Sequence, residues 1–124
     1  MAESLARVPI VIRVHGVGEA RGELNRLTAP LTVGEILKRL PLQGITIPTV
    51  GCVSVMTVIR RGTEKPVTQA EAGTLTYWPQ QGSICIYPTA SKTQGLVNRI
   101  GSVQSNLKLF KDLKAGSRIV IEKV

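Results

Sequence analysis

The side chains best suited to acid–base, nucleophilic or metal chemistry are scarce in this 124-residue sequence. There is one histidine, His15, and there are two cysteines, Cys52 and Cys85, with eight carboxylates against sixteen Lys and Arg. His15 stands at the end of an alternating apolar run, with no Ser, Cys or Asp at a spacing that would make it the base of a dyad or triad. A four-ligand zinc site lacks candidates, and the cysteines form no CxxC pair. Each lies among apolar neighbours, GCVSV and SICIY, and reads as a buried free thiol; a bond between strands stays open. Paired carboxylates for hydrolysis are not in view, because the acids are sparse and fall on outward positions. Gly16, Gly18 and Gly22 give GxGxxxG, and the following EARGELNRL alternates instead of forming an amphipathic helix. The glycines therefore read as a hairpin turn and not as a phosphate cradle. No nucleophile elbow is present. The sequence thus offers no catalytic set and calls for no cofactor or metal.

What it offers is binding chemistry. Gly73 to Ala90, GTLTYWPQQGSICIYPTA, holds three of the four aromatic residues. Trp78, Tyr77 and Tyr87, with Met56, can supply an apolar groove, and Gln80, Gln81 and Arg13 can add polar anchors. Tyr77 shares a face with Leu75 and is expected inward. Trp78 points the other way and precedes the turn Pro79–Gly82, which makes it the leading candidate. The net charge of +8 raises nucleic acid as a partner. No run exceeds two basic residues, and the two halves are equally basic, so the pattern is a dispersed surface and not an electrostatic stripe. With two exposed aromatics at most for stacking, single-strand binding is an alternative and not the first reading.

The elements that must position these residues are mostly strands. Val8, Ile10, Ile12 and Val14 alternate with Pro9, Val11 and Arg13, so Val8–Val14 is a strand, and Pro9 suggests an edge or first position. Ala20, Gly22 and Leu24 mark a second strand. Thr32 and Glu35 read as a capping box, with Leu31 and Ile36 as a hydrophobic staple, opening a short helix that Pro41 stops. Ile45–Pro48 is extended. Cys52–Ile59 is apolar on both faces and reads as a central strand closed by a turn at Arg60–Thr63. Val67–Ala72 is a weak edge strand or loop, Thr74–Trp78 and Ser83–Tyr87 are strands, and Ala90–Asn98 reads as loop. Ser105 or Asn106 caps a second helix with Leu107, Phe110 and Leu113 inward, and Ser117–Val124 is a last strand with Ile119 and Ile121 inward. Hairpin-like spacing without crossover units predicts a mostly β fold. The expected architecture is one domain over residues 1–124, a closed or nearly closed antiparallel barrel of about eight strands with two short helices at its ends.

Gly73, Tyr77, Trp78, Pro79 and Gly82, then Val97, Asn98, Ile100 and Gly101, then NLKLFKDLKAGSRIVIEKV, resemble the C-terminal half of the small cyclophilin-like barrel family of archaea and bacteria. The front half is similar in layout, a hairpin followed by a helix ending in Leu40-Pro41. The chain departs from the family pattern at Thr49–Val53, which lacks a tryptophan and an acid, at Thr74 in place of an aspartate, and in the short turn Pro88-Thr89-Ala90. The family is mostly uncharacterised. Its likeness to peptidyl-prolyl isomerases implies a groove on the barrel wall but no activity. A cyclophilin isomerase uses an arginine two residues after a phenylalanine beside a proline pocket, and no such cluster exists here; Arg13, Arg60 and Arg61 are the only substitutes foreseen. The expectation is a module binding a small molecule or peptide without catalysis, the alternatives being an isomerase-like enzyme or a weak single-strand binder. No apolar run approaches the roughly 18 to 20 residues of a membrane span. The start, broken by Glu3 and Arg13, lacks a secretory signal, so a cytoplasmic protein is expected.

Overall fold

The computed structural model describes residues 6–124. Nine strands run in the order β1 (Arg7–Val14), β2 (Gly18–Asn25), β3 (Leu42–Thr49), β4 (Cys52–Met56), β5 (Val67–Ala70), β6 (Thr74–Trp78), β7 (Ser83–Ile86), β8 (Ser91–Ser105) and β9 (Arg118–Lys123). Helix α1 (Pro30–Arg39) follows β2, and a single 3₁₀ turn covers Leu107–Phe110. The hydrogen-bonded order is β2-β1-β9-β3-β4-β7-β6-β8, and β8 returns to pair with β2. Every pairing is antiparallel. Eight strands therefore close into a barrel, which removes the edges an aliphatic sheet would otherwise expose. β5 stays outside and pairs with the first half of β8.

The alternation in the sequence becomes the inside and outside of this cylinder. Ile10, Ile12 and Val14 of β1, Val53 and Val55 of β4, Leu75 and Tyr77 of β6, and Ile119 and Ile121 of β9 all enter one core. Val33, Ile36 and Leu37 of α1 and Phe110 of the 3₁₀ turn join it. α1 follows the end of β2, whereas Leu109 packs over Gly18 at its start, so the two plug opposite ends. Burial of β-branched and leucine side chains, about 1.5–3 kcal/mol each, is the main force holding the barrel.

Several expectations are corrected. Thr32 is not the N-cap of α1. Ala29 occupies that place without a side-chain bond, Glu35 pairs with Arg39, and Leu31 is exposed, so neither capping box nor staple forms. The cap comes from far along the chain: the Glu64 carboxylate accepts the backbone N–H groups of Leu31 and Thr32, both at 2.9 Å, and the Thr32 hydroxyl at 2.8 Å. The second helix is only one turn, because Asn106 takes a left-handed conformation and the chain leaves the turn after Lys111. Ala90–Asn98, expected as loop, is largely strand. β4 ends at Met56, where the Thr57 side chain bonds the Gly82 carbonyl at 2.7 Å and starts an irregular loop. Ile59 still reaches the core from that loop. Pro9 lies in a strand flanked on both sides, but at the end of the β1–β9 ladder, where its missing N–H costs at most one bond. Its carbonyl, on the same side, meets the N–H of Val124, beyond the last β1–β9 pair, Ile10 with Lys123.

Candidate functional site

Residues that alternate with the core positions form the outer wall, and the register sets their neighbours. On one flank Val120 of β9 stands between Arg13 of β1 and Gln43 of β3, and Arg118 stands beside Ile45. The β1–β2 turn, His15-Gly16-Val17, overhangs this flank. Gly16 sits at φ 74°, a left-handed conformation that suits glycine there. Together these groups line an open cleft of about 860 Å³. Arg13 is held by ion pairs to Glu19 at 3.4 Å and to Glu122. Arg118 has no carboxylate partner among the described residues. The cleft thus joins apolar surface from Val17, Ile45 and Val120 to one unpaired guanidinium.

From Ile45 the outer row continues across the wall. Ile45 lies one step beyond the Thr46–Val55 pair, beside Met56. Met56 pairs with Ser83 and Ser83 with Trp78. Met56 is 49% exposed and Ile45 56%. The candidates Arg13 and Met56 are thereby on or next to the cleft, and Trp78 is at the far end of the row, half-buried. Gln80 is exposed in the turn, and Gln81 spends its side-chain oxygen on the Ser83 hydroxyl at 2.8 Å.

Tyr77 and Tyr87 do not reach the surface; both are 0% exposed. Tyr77 points into the barrel, donates its hydroxyl proton to the Ile59 carbonyl at 2.7 Å and accepts the Arg61 N–H at 3.2 Å. Tyr87 belongs to a small second core on the outer face, with Cys52, Ala70 and Cys85, against which Trp78 packs. β5 contributes Ala70 to this cluster and so turns the expected aromatic groove into an interior. Both cysteines are free and buried, as the sequence indicates. The Cys85 thiol is pushed up by the adjacent Cys52 and by burial. Cys52 is drawn down by the contact with Cys85, against burial, with help from Gln94 and Tyr87. Burial pushes the Tyr87 hydroxyl up as well.

Arg60 and Arg61 lie in the loop after β4 and not on a strand. Arg60 bonds the carbonyls of Thr57 and Ile59. The arginine that sequence reasoning missed is Arg118, hidden in a run read only for its inward isoleucines. Its signal was the alternation itself, which places Arg118, Val120 and Ile45 outside. No group of three or more His, Cys, Asp or Glu side chains among the described residues is placed to hold a metal. No helix among them is long and apolar enough to cross a membrane.

A family model described as cyclophilin-like matches residues 8–122. The solution structure of the hypothetical protein AF2241 from Archaeoglobus fulgidus is similar over the full length of both chains, with a TM-score of 0.83 at 23% identity. The structure of McbB in complex with tryptophan is similar over 92% of this chain and 44% of that one, with a TM-score of 0.73 at 14% identity. At these identities the likeness concerns the fold. No curated protein matches the sequence. With nearly every residue of the barrel inside the matched span, this chain belongs to the cyclophilin-like family.

Proposed function

We propose that this barrel is a binding domain for a small, partly apolar acid held in the outer-wall cleft. The observation that carries the reading is the Arg118 guanidinium, free of carboxylate partners among the described residues, in a cleft lined by apolar Val17, Ile45 and Val120. The cleft's volume of about 860 Å³ falls in the range of small-molecule sites, which are mostly apolar with one or two polar groups fixing orientation. A guanidinium presents a planar fork that matches a carboxylate, whereas Arg13, already shared by two glutamates, is a scaffold for the cleft. The McbB structure, described in complex with tryptophan, lends support by analogy of fold: tryptophan is an apolar body carrying a carboxylate.

The test is a thermal-shift and calorimetric panel of small carboxylates (tryptophan, phenylacetate, hexanoate) beside their amides. A ligand at about a hundred times its Kd adds about 2.7 kcal/mol of stability, enough to move the melting temperature by several degrees. Carboxylates should stabilise and amides should not. Arg118→Gln should weaken the best carboxylate about tenfold without lowering the melting temperature of the free protein. Equal shifts for acids and amides, or an unchanged affinity in the variant, would remove the acid reading. Stabilisation by none of them would remove the cleft.

A further inference from the structure

The cluster around Tyr87, farther along the outer wall, has chemistry of its own that does not depend on the cleft. In the β4–β7 register Ser54 faces Cys85, so Cys52 sits diagonally from Cys85 on the same outer face. The Gln94 side-chain N–H points at the Cys52 sulfur from 3.9 Å. The Thr76 hydroxyl lies beside the Cys85 sulfur and the Tyr87 hydroxyl beside Cys52, neither in a well-formed hydrogen bond, and the buried indole N–H of Trp78, which packs against the cluster, has none either. Thr76 and Tyr87 are both wholly buried. Buried donors without acceptors are uncommon in folded proteins and demand a reason. Here the two hydroxyls flank the two sulfurs, Thr76 at Cys85 and Tyr87 at Cys52. Cys52 also lines a separate opening of about 360 Å³, with Thr49, Gly51, Pro88 and Lys111 around it. Cys85 is wholly buried.

We propose that Cys52 and Cys85 are a redox-active pair. Cys52 meets a small hydroperoxide through this opening, and Cys85 resolves the product to an internal disulfide. The Cys52 thiolate attacks one peroxide oxygen; the S–O bond forms, the O–O bond breaks, and the departing oxygen takes up a proton and leaves as an alcohol or water. The Cys85 sulfur then attacks the Cys52 sulfenic acid. The S–S bond forms, the S–O bond breaks, and the hydroxyl leaves as water with the Cys85 proton. Two thiols are oxidised and one peroxide is reduced. The order follows from access: Cys52 faces the opening and Cys85 is sealed beneath it. The lowered Cys52 and raised Cys85 titrations agree with the same division of roles. A diagonal pair lies just beyond the usual span of a bridge, so the backbone at Cys52 must move to close it. Cys52 follows Gly51, at φ 84° in the turn into β4, so the shift falls at the end of the strand and must also move Ser91, which packs against Gly51.

The experiment counts thiols by maleimide labelling after unfolding, before and after a modest excess of hydrogen peroxide. Thiol counting is preferred to total mass because exposed Met56 also takes up oxygen. The wild-type chain should lose both thiols while staying monomeric on a non-reducing gel, and dithiothreitol should restore them. Cys85→Ser should stop at a sulfenic acid on Cys52 that dimedone traps. Cys52→Ser should keep the Cys85 thiol at least about tenfold longer than the wild-type chain does. Retention of both thiols in the wild-type chain at peroxide levels that oxidise Met56 would overturn the proposal, whatever the variants do. Intermolecular dimers, or Cys85 lost at the wild-type rate in Cys52→Ser, would overturn it too.

Discussion

Glu64 does for α1 what no residue of the helix does for itself. Its carboxylate takes two backbone N–H groups and one hydroxyl from a segment more than thirty positions earlier. Asn98 locks the arrangement: its amide donates to the Thr32 hydroxyl and the Gly62 carbonyl, and its oxygen accepts the Glu64 N–H at 2.7 Å. Partial burial pushes the Glu64 carboxyl up, but the bonds from Leu31 and Thr32, with the charge of Arg61, prevail and hold it below the usual carboxylate value. A carboxyl lowered in the folded state adds stability above its unfolded pKa and loses it as pH falls through the folded one. Glu64→Gln is therefore expected to cost about 1 kcal/mol near neutral pH, as loss of a helix cap does. The gap should close below about pH 4. Urea midpoints for both proteins at the two pH values check this; a gap that persists in acid would mean that shape and not charge sets the cap. At this scale the sequence was half legible. Asn98 belongs to the motif that carries the family likeness, and Tyr77 was correctly placed inward. The Thr32–Glu35 spacing suggested a local cap, and local spacing gives no sign of a competitor that only the closed barrel brings near.

Among the elements, closure of the barrel falls on β2 and β8, and it depends on two glycines. A Cβ on Gly22 would meet the Ser102 carbonyl oxygen at 2.6 Å, and a Cβ on Gly101 would run into the Glu23 carbonyl oxygen, closer still. Both obstacles are backbone, which cannot rotate away as a side chain can. Gly101→Ala should therefore destabilise by about 3 kcal/mol, the upper end for overpacking. Gly95→Ala, in the same strand, has open space around its Cβ position but sits at φ 111°, so it reports backbone strain alone. Denaturant melts of the two variants separate the effects; Gly101→Ala losing no more than Gly95→Ala would show that the seam can open at little cost. The strands that build the core were legible because apolar residues mark every second position. The first half of β8 was not, because it lies outside the barrel against β5, and its Lys92, Thr93 and Gln94 do not face the barrel core. The one-turn segment at Leu107 was misread for a related reason. Its leucine and phenylalanine spacing suits a helix, yet what the fold needs there is one turn that sets Phe110 into the core with Leu107 and Leu109 packed around it, before the chain returns to β9.

For the molecule as a whole, the remaining force is its charge. Sixteen basic residues oppose eight acidic ones, and the basic side chains are exposed on β1, β2, α1, β8, β9 and the loops between them. The ion pairs among the described residues all use guanidinium groups at least half exposed. Such pairs are worth about 0–1 kcal/mol each, and salt weakens them. Salt also screens the repulsion among the unpaired positive charges, which act over the whole surface. With a net charge of +8, repulsion is the larger of the two. The melting temperature should therefore rise by a few degrees as sodium chloride increases from about 0.02 M to about 0.3 M, over which the screening length falls well below the barrel's width. Anion binding in the cleft would raise it as well, so Arg118→Gln is the control. An equal rise in the variant assigns the effect to the dispersed charge, and a rise lost in the variant assigns it to the cleft. A melting temperature that falls with salt would mean that the exposed ion pairs outweigh the repulsion, and the account of this surface as evenly basic would fail.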